Sequence, residues 1–102
     1  MRVVFHDEAR AELLAAAEWY ERRRKGLGAD LLAEVTRAVE AVAESPETWP
    51  PWTRALREGV RRFLLTRFPF SLVFVIREDY VLVVAVAHSK RTPRYWVARL
   101  GE

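Results

Sequence analysis

The sequence predicts an α+β domain of order β-α-α-β-β-β, in which an antiparallel-rich sheet packs against a helical hairpin. Three observations predict it. Two apolar stripes at helical spacing flank Gly26 and Gly28, three β-rich runs crowd the C-terminal third, and a short β-branched run, Val3-Val4-Phe5, opens the chain. Length agrees: 102 residues, 51% of them hydrophobic, suit a single domain over residues 1–102 with a modest core.

Val3-Val4-Phe5 reads as a strand running straight into a helix. Asp7 stands where an N-cap belongs and Glu8 favours the positive end of the helix dipole. Leu13, Ala16, Ala17 and Tyr20 then recur at helical spacing as far as Arg24, with Glu12, Glu21, Arg22 and Arg23 on other faces. After the glycines, Leu31, Leu32, Val35, Ala38, Val39 and Val42 form a second stripe, and Ser45-Pro46 ends it, because the residue before proline is pushed out of helical geometry. Residues Glu47 to Gly59, with Pro50-Pro51 between Trp49 and Trp52, read as an irregular connection.

Three strands follow, over Val60 to Thr66, Phe70 to Arg77 and Tyr80 to Ala87. Glu78-Asp79 is short enough to make the last two antiparallel neighbours. The final strand is apolar on both alternations, which places it inside the sheet. A short helix or turn is expected over Pro93 to Arg99.

Several function classes drop out. With no cysteine there is no disulfide framework, thiolate metal site or cysteine nucleophile. His6 and His88 lie on different elements and the carboxylates show no ligand spacing, so no metal and no cofactor are expected. Gly26 and Gly28 lack the strand, lysine and hydroxyl of a phosphate loop, and Ser71 and Ser89 lack an elbow motif. The N-terminal apolar run is too short for a signal peptide and no segment approaches a membrane span, so a soluble, cytoplasmic protein without membrane contact is expected. The net charge of +3 permits acidic partners without demanding them.

One constellation carries chemistry: Arg62, Arg67, His88, Arg91 and Tyr95. Metal-free RNA cleavage needs a base for the 2′-hydroxyl, cations for the crowded phosphorane and an acid for the leaving oxygen, and these residue types supply all three. A plainer account makes Arg62 and Arg67 solvated strand residues, has His88 bonding a strand end and packs Tyr95 on the sheet. Trp19, Trp49 and Trp52 read as packing residues or partner anchors rather than base-stacking platforms, since no basic run interleaves with them.

Val60-Arg61-Arg62, Arg67-Phe68-Pro69-Phe70 leading into Leu72-Val73-Phe74, and Ala85-Val86-Ala87-His88 with Arg91, Pro93, Tyr95 and Trp96 resemble the small toxins of the RelE/ParE superfamily of bacterial toxin-antitoxin modules. Val3-Val4-Phe5, Ala9, Leu13 and Trp19-Tyr20 extend the resemblance over nearly the whole chain.

In members similar to RelE, which cut messenger RNA on the ribosome, the resemblance implies a catalytic set of Arg62, His88, Arg91 and Tyr95. Here, however, Ser71 stands where those members carry a phosphate-binding arginine, and Leu64 replaces part of their cationic cradle. Arg67-Phe68-Pro69-Phe70 and the His88 to Trp96 ending look more like the ParE branch, for which the resemblance implies inhibition of DNA gyrase, growth arrest and plasmid stabilisation without catalysis. On that reading Arg67, His88, Arg91, Arg94, Tyr95 and Trp96 contact the target. The resemblance also implies a cognate antitoxin whose disordered segment folds across the toxin, giving a hetero-oligomer. The alternatives are the ribosome-dependent endonuclease and an inactive, toxin-derived binding module.

Overall fold

The computed structural model describes residues 1–52 and 57–101, the side chains of Pro93 and Arg94 excepted. Its elements run β1 (Arg2–Phe5), α1 (Asp7–Arg23), α2 (Leu27–Glu44), β2 (Arg61–Leu64), β3 (Phe70–Ile76) and β4 (Tyr80–His88), with 3-10 helices at Pro46–Thr48 and Pro93–Gly101. The expected order is therefore the observed one, and the predicted terminal turn is the C-terminal 3-10 helix.

The strands stand in the order β1-β4-β3-β2. β4 is central, as its two apolar alternations require: it pairs antiparallel with β3 and parallel with β1, Arg2 opposite Tyr80 and Phe5 opposite Val83. The register of β3 and β4 slips between the Val73–Ala85 and Phe74–Val83 pairs, so Val84 is an extra residue in β4. This bulge exchanges faces along the strand. Val81 and Val83 pack with the helices before it and Val86 does so after it, while Val84, Ala85 and Ala87 turn to the other side.

The hairpin covers one face. Leu31, Val35 and Ala38 from α2 and Ala17 from α1 close over Leu72 and Val86, while Ala9 and Val42 close over Phe74 and Val83. Leu32, expected in the stripe, is exposed because it sits one position off the buried row formed by Leu31, Val35, Ala38 and Val42. The helices touch closely at Gly28, where a Cβ would lie 2.4 Å from the Ala17 carbonyl oxygen. Gly26 makes the reversal at φ 90°, and both glycine N–H groups donate to the Glu21 carboxylate, at 2.8 and 3.0 Å.

The cap of α1 lies one residue earlier than Asp7. His6 still donates its backbone N–H to the Val83 carbonyl, so the chain leaves the sheet there, and its Nδ1 accepts from the Glu8 N–H at 3.1 Å. Asp7 instead opens the first turn, where its charge still meets the helix dipole.

The opposite sheet face is apolar too and needs its own cover. Trp96 supplies it from the C-terminal 3-10 helix, fully buried against Val60, Val73, Val75, Val84 and Ala87, with the Trp52 ring 6.0 Å away. Trp96 is thus a core residue and not the surface contact expected from the sequence. A strand pair with two apolar faces cannot leave its largest neighbouring ring in solvent.

Candidate functional site

β1 stops at Phe5, so the second half of β4 has no strand on that edge. Side chains satisfy it instead. The Arg99 guanidinium donates to the Val84 carbonyl at 2.9 Å and to Glu12 at 2.8 Å, while Glu12 accepts from the Val86 N–H at 3.0 Å. This ion pair ties α1, the central strand and the C-terminal 3-10 helix together, and so fixes the cover over the outer sheet face. Arg99 is 7% exposed, so its charge depends on Glu12 for compensation.

A second carboxylate holds the turn between β2 and β3. Glu34 accepts from the Thr66 N–H at 2.6 Å, the Thr66 hydroxyl at 3.0 Å and the Arg67 N–H at 3.4 Å. Burial works against its charge, but those hydrogen bonds and the nearby Arg37 hold its carboxyl below the ordinary value. Sequence reading placed Glu12 on a face away from the apolar stripe, which its part-buried ion pair with Arg99 corrects, and assigned no role to Glu34 or Arg99. The signal was present for the acids: Glu12 lies between Ala9 and Ala16, and Glu34 between Leu31 and Ala38, on the stripes that become buried.

Where the terminal cover ends, the outer face opens into a cavity of about 310 Å³. Arg62 enters it from β2, Ser71 and Val73 from β3, Ala87 from β4 and Arg91 from the turn beyond, over a floor that includes Trp96; His88 borders it at the end of β4, but its ring packs edge-on against Phe70 at 5.1 Å on the helix side, beside Ala16 and Tyr20. Arg62 and Arg91 are each stacked on an aromatic ring: the Arg62 guanidinium carbon lies 4.3 Å from the Trp52 ring centre, and that of Arg91 lies 3.5 Å from the Tyr95 ring centre. Stacking fixes the plane of each guanidinium and leaves its N–H edges free for an acceptor. Among the described residues, no carboxylate lines the cavity.

Arg62 and Arg91 are therefore brought together, and the remaining sequence candidates are not, His88 included, whose ring lies against Phe70 on the helix side. Arg67 lies on the helix side of the sheet, where it pairs with Asp30 at 3.4 Å. Tyr95 turns its hydroxyl into a buried position with no partner among the described residues, and burial together with the Glu12 charge raises its pKa against the opposing pull of Arg91 and Arg99. Trp96 is core, and the Arg94 side chain lies outside the described residues. His88 Nδ1 accepts from the Lys90 N–H at 3.1 Å, so the neutral ring presents its other nitrogen as a donor. The Tyr95 hydroxyl is turned away from the cavity, which presents the guanidinium groups of Arg62 and Arg91.

The family model for the ParE toxin of the type II toxin-antitoxin system parDE matches residues 3–93. The chain belongs to the ParE toxin family. Among solved structures, it is similar to a chain of the chromosomal ParDE toxin-antitoxin system from P. aeruginosa, at 18% identity and a TM-score of 0.76, covering 88% of this chain and 97% of that one. No curated protein matches. The shared fold of this ParE-family chain is thus carried at low identity, through the hairpin and the four-stranded sheet. No helix among the described residues is long and apolar enough to cross a membrane.

Proposed function

We propose that this ParE-family chain arrests growth by binding DNA gyrase in the cytoplasm and is held inactive by a cognate antitoxin. The observation that carries this reading is the family match over residues 3–93. It is supported by a cavity that gathers Arg62 and Arg91, receives no hydroxyl from Tyr95 and has the His88 ring turned toward Phe70 on the helix side. Binding without catalysis fits that chemistry better than ribosome-dependent cleavage does. Arg91 is the exposed cation on this face, with Arg94 following it in sequence, and arginines of this kind dominate protein interfaces.

The test is gyrase supercoiling and cleavage-complex accumulation with purified protein. Inhibition at concentrations that arrest growth, relieved by the protein encoded beside it, is expected. No effect on gyrase well above those concentrations would sink the reading, and robust messenger RNA cutting on translating ribosomes would replace it with the nuclease.

A further inference from the structure

We propose that the cavity on the outer sheet face is a receptor for a single carboxylate side chain of a protein partner; the choice of partner rests on the antitoxin reading given above. Arg62 and Arg91 line one cavity together, and among the described residues neither guanidinium group makes a hydrogen bond or ion pair with the protein. Two unpaired guanidinium groups in one recess repel each other and retain unused donors. Both strains are relieved by one oxyanion between them. Ser71, buried to 6% exposure, lines the same recess with a hydroxyl.

The surroundings favour a carboxylate on a short aliphatic stem over a polynucleotide. Bound nucleic acid presents a phosphate at every step and needs a line of cations to follow it. Three nearby arginines are already engaged: Arg61 with the carbonyls of Glu47 and Trp49, Arg77 with the Leu100 carbonyl, and Arg99 with Glu12 and Val84. The walls beside the two free cations are Val73, Ala87 and Trp96, an apolar lining suited to the methylenes of a glutamate. The recess therefore offers one anion site inside an apolar slot.

The experiment uses the full chain and two probes, a capped Gly-Glu-Gly peptide and inorganic phosphate, read by the side-chain Nε–H NMR signals of Arg62 and Arg91. The peptide is expected to shift both signals saturably, and Arg62→Gln or Arg91→Gln to weaken it about tenfold, as expected for losing one charged hydrogen-bond partner. Arg67→Gln, on the helix side, should leave it unchanged. A response to phosphate without one to the peptide overturns the carboxylate assignment, and silence of both signals overturns the site.

A second measurement does not depend on the probe. Ser71→Asp places a carboxylate in the recess and Ser71→Asn is its neutral isostere, so their difference reads charge alone. Ser71→Asp should melt above Ser71→Asn, abolish peptide binding, and lose its advantage when Arg62 and Arg91 are both glutamine. If Ser71→Asp melts below Ser71→Asn, the recess does not welcome an anion and the proposal fails. Gyrase inhibition is assayed on the same preparations. A chain that binds the peptide yet spares gyrase keeps the receptor and loses the target, whereas one that inhibits gyrase without a peptide response does the reverse.

Discussion

The two faces of the sheet are built for different ends. On the helix side, Leu72, Phe74, Val83 and Val86 meet a hairpin that fills the space above them. On the outer side, Trp96 and its 3-10 helix cover only part of the apolar surface, and the remainder is a recess edged by Arg62, Ser71 and Arg91. The filled face supplies the stability that lets the other stay open, with two free cations held side by side. Polar groups follow the same division: Glu12, Glu21 and Glu34 saturate backbone donors around the hairpin, whereas the recess contains donors without a carboxylate.

The largest expected effect comes from cutting the tie between the faces. Glu12→Ala leaves buried Arg99 with only the more exposed Glu8 carboxylate, 3.8 Å away, and the Val86 N–H without an acceptor, a loss on the order of 3 kcal/mol. For a domain with about 5–15 kcal/mol in total, urea denaturation should show a severely weakened fold. A midpoint equal to that of the parent chain would mean the outer cover is held without this pair. Next is Gly28→Ala, which drives a Cβ toward the Ala17 carbonyl and forces the helices apart, at about 1–3 kcal/mol by the same assay. An unchanged midpoint would show that the hairpin is looser than its contacts imply.

A smaller effect follows from Glu34. Its carboxyl is held below the ordinary value of 4.5, so the folded state binds that proton less readily than the unfolded chain does. The stability it contributes is complete above the unfolded value and is lost as pH falls through the folded one. Glu34→Gln should therefore flatten the acid side of a stability–pH profile. A profile identical to the parent's would remove Glu34 as its source. The smallest stability effect belongs to the open face: Arg91→Ala, at an exposed position, should shift the midpoint by within about 0.5 kcal/mol while abolishing growth arrest. A toxic Arg91→Ala chain would separate the recess from function.

Element order and the central place of β4 were legible because apolar periodicity reports burial directly. The N-cap was misplaced by one residue because a backbone bond between His6 and Val83 decides where the chain leaves the sheet, and no local pattern encodes it. Arg62, His88 and Arg91 were singled out by residue type, and of these Arg62 and Arg91 share the cavity. Their companions Arg67 and Trp96 were not separable from them, since which face a residue joins depends on the turn before β3 and on a one-residue bulge in β4. Arg99 resembled any surface cation until its partner, far away in sequence on α1, was seen beside it.

The parallel pairing of β1 with β4 sets a schedule for birth on the ribosome. Arg2 waits for Tyr80 and Phe5 for Val83, so the first strand synthesised cannot join its neighbour until almost the entire chain has emerged. Helices α1 and α2 form locally and early, but the long-range closure comes last and is the slow kind. The recess is later still, because Arg91 and the Trp96 floor follow β4 in the chain. The recess is therefore complete only when nearly the whole chain has been made.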